Sequence, residues 1–399
     1  MRPLAITHHT LVSALGHGRA AHAAALREGR TGLARRGFET ADIGAWLGVV
    51  DGVDELDWAA FAPAGSPLAG YDCRNNRLAE LALRADSFAE AVQAAARRWG
   101  AGRVGVFLGT STSGILATEL AYRERDASTG ALPAALDYGR THNTYSAARY
   151  LRERLGLAGP AHVVSTACSS AAKVYATAER MIRLGLVDAA VVGGVDSLCM
   201  TTLYGFRSLE LTSPDICRPW DAERQGLSLG EAAALALLER DGSAMGWLLG
   251  TGESSDGHHM SSPHPEGAGA VLALQAALAD AGVAPGQVDY LNLHGTGTPG
   301  NDAAEDRAVM QVFGARLPCS STKGQTGHTL GAAGGVEASL SLLALEQGCM
   351  PASLNLQQQD PALHATLLRE PTPAPLRVVA SNSFGFGGSN ACLVFGGAR

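Results

Sequence analysis

Charged side chains are scarce in this chain. Asp, Glu, Lys and Arg make up 17 % of 399 residues, below the usual share of about 25 %, so much of the chain belongs in an interior or an interface. Long apolar runs are missing as well. No window reaches the ~18 consecutive apolar residues of a membrane span. The longest candidate, Ala232 to Leu238, is bracketed by Glu231 and Glu239 and reads as a core segment. Met1 to His9 contains no long apolar stretch, so no secretory leader is expected. The seven cysteines are odd in number and form no C-x-x-C pair. That pattern excludes a disulfide framework and a zinc ribbon, so no metal is expected, and it fits a reducing, cytoplasmic setting. Basic residues are outnumbered: 31 Lys and Arg against 38 Asp and Glu leave a formal charge of −7. A nucleic-acid binder would carry the opposite balance.

Apolar residues and glycine are abundant. Hydrophobic residues reach 46 %, and a chain this long buries most of its apolar surface without staples. Short apolar runs alternate with helical patterns. Arg103 to Gly109, Val163-Val164, Ala189 to Gly194, Val288 to His294, Val378 to Ser381 and Ala391 to Phe395 read as strands. Such alternation predicts α/β layers. A strand-to-helix segment at Ser165–Ala172 has an echo at Ser320–Gly334, each leading into a helix that opens with small residues. Two halves of similar design are expected, residues 1–250 and 251–399, packed as one body.

Four segments could carry chemistry. Cys168 stands where a strand gives way to a helix. There the positive end of the helix dipole would favour thiolate, making Cys168 a nucleophile; otherwise it is a small buried hydrophobe. His294 ends a strand before Gly295-Thr296-Gly297-Thr298-Pro299-Gly300. This run matches G-x-G-x-x-G, but Pro299 stiffens it, Asp302 follows closely, and no acid stands about 20 residues on, so a dinucleotide site is disfavoured. His328 lies in a glycine-rich segment, and Lys323, five residues earlier, can pair with Glu337. Phe384-Gly385-Phe386-Gly387-Gly388 is either a hairpin turn with core aromatics or a moving loop with a Phe gate. His258, His259 and His264 lack the spacing and carboxylates of a metal site.

Taken in order, Thr166-Ala167-Cys168-Ser169-Ser170, His294-Gly295-Thr296-Gly297-Thr298, Lys323 to His328 and Asn382 to Asn390 resemble the β-ketoacyl-ACP synthases of the Cys-His-His class. The resemblance runs over nearly the whole chain and includes Arg218-Pro219-Trp220-Asp221 and Ser261-Ser262-Pro263. It implies a thiolase fold with two similar halves in five layers, α-β-α-β-α. It implies an acyltransferase that condenses an acyl thioester with malonyl-ACP, in fatty acid or polyene and polyketide synthesis. Cys168 would accept the acyl chain. His294 and His328 would hold the malonyl thioester and promote decarboxylation, and Lys323 would orient the site through Glu337. The amides of Cys168 and Phe386 would form the oxyanion hole, Phe386 would gate the acyl pocket within Gly385, Gly387 and Gly388, and Thr296 and Thr298 would bind the phosphopantetheine arm. The implied partners are acyl carrier protein and either a second copy or a related ketosynthase-like subunit. No cofactor of the enzyme's own is implied. A chain-length-factor-like partner subunit is the alternative within the family, but such subunits usually lack the active Cys. Leu227-Ser228-Leu229, the short Gly242–Gly250 region and the Ser/Thr-rich run Thr110–Gly114 depart from the family's usual pattern and bear on acyl-chain preference.

Overall fold

The computed structural model describes residues 3–398. The first half contributes strands β1 (Leu4–Ser13), β2 (Val104–Gly109), β3 (Ala161–Val164), β4 (Ala189–Asp196) and β5 (Ala232–Glu239), with helices α1 (Arg74–Arg84), α2 (Phe88–Trp99), α3 (Ile115–Arg123), α4 (Ser146–Arg154), α5 (Ser170–Arg183) and α6 (Met200–Ser208) among them. The second half contributes β6 (Gly246–Ser255), β7 (Tyr290–Asn292), β8 (Pro318–Ser320), β9 (Val378–Gly385) and β10 (Ser389–Gly397), with α7 (Ala268–Ala281), α8 (Pro299–Val312) and α9 (Ala333–Gln347).

The strand order is duplicated. In the first half it runs β3-β2-β4-β5-β1, and in the second β8-β7-β9-β10-β6. The directions repeat as well: β2, β3 and β4 run parallel, as do β7, β8 and β9, and the next two pairings in each set are antiparallel; the two-residue strand Thr366–Leu367 adds in parallel outside β8. β1 and β6 join the two sets, with Leu4 opposite Leu248. The second series opens at Gly246, so the expected boundary at residue 250 lies inside β6.

Strand alternation sorts the side chains into layers. Val104, Val106, Leu108, Val191 and Leu235 face a core shared with α1, α2 and α4. Phe107, Ala190, Val192 and Leu238 point the other way, onto Val174, Tyr175 and Ala178 of α5 and Leu342 of α9. Leu393 and Phe395 of β10 close that middle layer from the second sheet. On the far side, Leu291, Ala380 and Val394 pack under Val271 and Leu274 of α7 and Val309 of α8. The result is the five-layer thiolase fold. α9 is buried all round from Ala333 to Ala344, as a helix with no polar face must be. It shares the middle layer with α5, and the loops that enter these two helices carry Cys168 and His328.

Candidate active site

β3 ends at Val164, and the chain turns through Ser165–Ser169 before α5 begins at Ser170. Ser170 pins this turn: its hydroxyl accepts the Thr166 N–H at 2.8 Å and donates to the Ala167 carbonyl. Ala167 is held at φ 51°, a left-handed conformation that non-glycine residues adopt only under constraint. The strained turn projects Cys168 into a site where its side chain is 5 % exposed. His328 approaches across the middle layer and places Nε2 2.9 Å from the Cys168 Sγ. His294 follows β7, with its ring 5.4 Å from that of His328 and nearly perpendicular to it. The donor atoms of Cys168, His294 and His328 lie within 4.8 Å of one another. A soft metal ion could in principle share them, but the Lys323 ammonium beside them opposes a second cation.

Lys323 sets the electrostatics. Its ammonium is fully buried, paired with Glu337, and donates to the His294 carbonyl. It also lies 3.4 Å from His294 Nδ1. An ammonium can only donate, so Nδ1 is the acceptor and the His294 proton resides on Nε2. Burial, reinforced by Lys323, holds both imidazoles well below their usual pKa, so both are neutral at neutral pH. Burial pushes the Glu337 carboxyl up to about 7 against the opposing pull of Lys323.

The thiol departs from the sequence expectation. A helix start was expected to favour thiolate. Burial instead pushes the Cys168 thiol up to about 12, opposed by the Lys323 charge and the Phe386 amide. Cys168 stands two residues before the first helical residue, outside the turn where the dipole is strongest. The resting pair is therefore a neutral thiol against a neutral imidazole, an arrangement in which the imidazole can take the thiol proton when the sulfur attacks a carbonyl.

Two cavities meet at Cys168. The narrower, about 70 Å³, is lined by His294, His328, Thr296, Thr298 and the Phe384–Phe386 segment. The wider, about 240 Å³, is lined by Ser111, Thr202, Phe206, Leu209 and Leu330. Phe386 borders both and stacks against Phe206 at 5.6 Å. Its neighbours need glycine for different reasons. A Cβ on Gly385 would strike the Thr166 carbonyl at 2.5 Å, whereas Gly387 sits at φ 79° with open space around it. Thr296 and Thr298 share a hydroxyl contact of 2.8 Å in the narrow cavity.

The glycine run after His294 does not form a phosphate cradle. The amides of His294 and Gly295 are taken by Glu305, each at 2.8 Å, and that of Gly297 by Asp302. Buried carboxylates occupy the donors a pyrophosphate would need. Glu305 also accepts from Asn382 at 3.0 Å, tying β9 to the His294 loop, and burial lifts its pKa to about 7. Glu305 shares α8 with Asp302 and Asp306, and nothing in their spacing marks it as the partner of the His294 loop. His258 and His264 stand with rings 5.2 Å apart on the loop whose Ser261, Ser262 and Pro263 line the narrow cavity.

The profile of the β-ketoacyl synthase N-terminal domain matches residues 2–244, and that of the C-terminal domain matches residues 245–357. A mitochondrial 3-oxoacyl-[acyl-carrier-protein] synthase of Arabidopsis thaliana is 40 % identical over 271 residues, covering 62 % of this chain. The chain spans 59 % of that relative's length. Nodulation protein E of Rhizobium meliloti is 36 % identical over 312 residues, covering 73 % of this chain and 75 % of its own. Among solved structures, a ketosynthase in complex with its chain length factor from Xenorhabdus doucetiae matches with TM-score 0.88 and 39 % identity over 99 % of this chain and 98 % of that one. A β-ketoacyl synthase from Burkholderia phymatum matches with TM-score 0.86 and 30 % identity over the full length of both chains.

Proposed function

The chain belongs to the β-ketoacyl synthase family, and from that premise we propose that it condenses an acyl thioester, carried on Cys168, with malonyl-ACP to give 3-oxoacyl-ACP, CO₂ and free carrier protein. The observation that carries this reading is the 2.9 Å approach of His328 Nε2 to the Cys168 thiol beside a second imidazole held neutral.

In the first half-reaction the Cys168 sulfur attacks the acyl carbonyl while His328 takes the thiol proton. The carbonyl oxygen becomes an oxyanion between the amides of Cys168 and Phe386, and the carrier thiolate leaves with the proton from His328. In the second, the Nε2–H of His294 donates to the malonyl thioester oxygen, and His328, having given its Nε2 proton to the departing carrier, donates beside it once its remaining ring proton has moved from Nδ1 to Nε2. The C–CO₂ bond breaks, and its electron pair forms an enolate. The α-carbon then attacks the acyl-Cys168 carbonyl, and Cys168 leaves as thiolate to be reprotonated. The narrow cavity, with Thr296 and Thr298, holds the phosphopantetheine arm, and the wider one takes the acyl chain. Both substrates arrive on the carrier, so the reaction calls on no cofactor of the enzyme's own. Turnover with a panel of acyl-ACPs and malonyl-ACP, followed by mass spectrometry of the carrier, tests the reading. Carrier-bound 3-oxoacyl product is expected, and its absence across the panel, with the protein folded, overturns it.

Phe386 gates the passage between the two cavities. Phe386→Ala is expected to raise malonyl decarboxylation relative to condensation, because the enolate site opens before the acyl chain is in place. A fixed core aromatic would behave differently. Its loss would cost roughly 3–5 kcal/mol and depress all partial reactions together. A much lower Tm with an unchanged ratio of decarboxylation to condensation overturns the gate.

The chain works as a pair, either two copies or this subunit with a related one, as in the Xenorhabdus ketosynthase–chain length factor complex. β3 ends the sheet with one edge unpaired, and its residues are only half covered. Such an edge invites another strand. The wider cavity opens beside Leu209, which is 51 % exposed on this chain alone. Light scattering of the purified chain, alone and coexpressed with a ketosynthase-like partner, is expected to give a two-chain mass in at least one preparation. A one-chain mass in both at micromolar concentration overturns the pairing.

A further inference from the structure

We propose that Asp196, the last residue of β4, is a positioning residue that holds the Cys168 turn and the His328 loop in register, an inference that rests on the condensation chemistry proposed above. Asp196 is fully buried and touches neither cavity. Its Oδ1 accepts the Thr110 hydroxyl at 2.6 Å, the Thr112 hydroxyl at 2.8 Å and the amides of Ser111 and Thr112, each at 2.8 Å. Its Oδ2 accepts the Gly331 amide at 2.5 Å and lies 2.9 Å from the Ser111 amide. Amide donors on both oxygens call for a carboxylate, because a protonated acid would set an O–H against an N–H.

The segments tied together are those that set the Cys168–His328 distance. Gly331 follows His328 by three residues. It also leaves no room for a side chain, since a Cβ there would lie 2.6 Å from Asp196 Oδ2 and from Ser111 Oγ. Ser111 donates to the Ala167 carbonyl at 3.3 Å, and Ala167 precedes the nucleophile. Three non-glycine residues in these segments are held in the left-handed region: Ser113 at φ 47°, Ala167 at φ 51° and Leu330 at φ 56°. Backbone strain of this kind persists where surrounding bonds over-determine it. A single carboxylate receiving donors from the Thr110–Thr112 segment and from Gly331, with Ser111 passing the constraint to Ala167, supplies that restraint on both sides of the reacting pair.

Asp196 also acts on the thiol through its charge. The charges that bear on Cys168 are Lys323, which favours thiolate, and Asp196 and Glu337, which oppose it; the neutral rings of His294 and His328 complete the surroundings. Removing the Asp196 charge therefore makes the thiol easier to ionise while loosening its alignment with His328. The two effects run in opposite directions, and a merely structural residue would produce neither pairing.

Asp196→Asn is the test. The variant keeps the size but turns an NH₂ toward an amide donor. Iodoacetamide alkylation of Cys168 is measured against pH by intact mass, alongside acyl transfer from acyl-ACP and the melting temperature. Expected are an alkylation profile displaced to lower pH and an acyl-transfer kcat reduced at least tenfold with KM changed less than threefold. An unchanged alkylation profile, or acyl transfer that falls only with the folded fraction, overturns the proposal. If Asp196→Asn does not fold, Thr112→Val decides. It removes one hydroxyl donor at constant size, and a two- to fivefold fall in kcat with KM held supports the role, whereas an unchanged kcat overturns it. The alkylation profile needs no acyl substrate. A wild-type protein that makes no 3-oxoacyl-ACP therefore counts against the proposed function and leaves this measurement decisive for Asp196.

Discussion

Cys168→Ala is expected to reduce acyl transfer and condensation by roughly 10⁴-fold or more, the order seen when a covalent nucleophile is removed from a preorganised site. The protein stays folded, because the change deletes one sulfur atom from the edge of two existing cavities. Intact mass after incubation with acyl-ACP is the direct measurement: the wild-type chain gains the acyl mass and the variant does not. An acyl adduct retained on Cys168→Ala would place the nucleophile elsewhere. Six other cysteines are present, but among the described residues Cys168 is the one whose sulfur groups with the ring nitrogens of His294 and His328. Cys168→Gln separates the two half-reactions. Its side-chain carbonyl occupies the place of the acyl group, so malonyl-ACP decarboxylation persists while condensation is lost.

The sequence revealed the reacting residues more readily than the bonds that hold them. Cys168, His294, Lys323 and His328 each sit in short runs rich in glycine or small residues at strand ends, and polar side chains there have little reason to pack. The Lys323–Glu337 pair was also legible, because a helix brings Glu337 back over the loop. Two strands were not. β1 carries Thr7, His8, His9 and Thr10, polar residues that hide its apolar pattern, yet Thr7, His9 and Thr10 are buried between neighbouring strands. β6 carries Gly246, Gly250 and Gly252, and glycine is disfavoured in strand interiors. Gly250 and Gly252 are there because α7 lies directly on the strand, and a Cβ on Gly252 would meet the Ala273 carbonyl at 2.0 Å; a Cβ on Gly246 would instead meet Leu342 of α9 at 2.7 Å. Glu305 and Asp196 escaped for a different reason. Their partners are backbone amides far away in sequence, and no local spacing records such a bond. The thiol was misjudged on the same account. Helix position is local, but the burial that overrides it comes from Phe386, His328 and Leu330, which close over Cys168 from the other half of the chain.

That correction divides the two histidines. In the proposed mechanism, with the thiol pushed up to about 12 and His328 Nε2 2.9 Å from it, acylation is expected to depend on His328 as well as on the oxyanion hole. His294 makes no hydrogen bond to the sulfur among the described contacts; its Nε2–H, set by the Lys323 contact at Nδ1, is the donor proposed for the malonyl thioester. His294→Ala is therefore expected to lower malonyl decarboxylation by about 10²–10³-fold, the range for loss of one preorganised donor, and acylation by much less. His328→Ala is expected to lower both. The pH dependence identifies the cause. In the wild type the reactive form is neutral thiol beside neutral imidazole. Because His328 titrates well below its ordinary value, that form is fully populated at neutral pH. The acylation rate should be flat from about pH 7 to 9, since neither group changes charge there. Without His328, attack requires thiolate already formed in solution equilibrium. Its fraction grows about tenfold for each pH unit below the thiol pKa, so acylation by His328→Ala should climb steeply over the same range. Single-turnover acylation followed at several pH values reads this directly. A flat profile in His328→Ala, or acylation that falls as far in His294→Ala as in His328→Ala, would show that the thiol is not activated by His328 and that the two imidazoles share a single role.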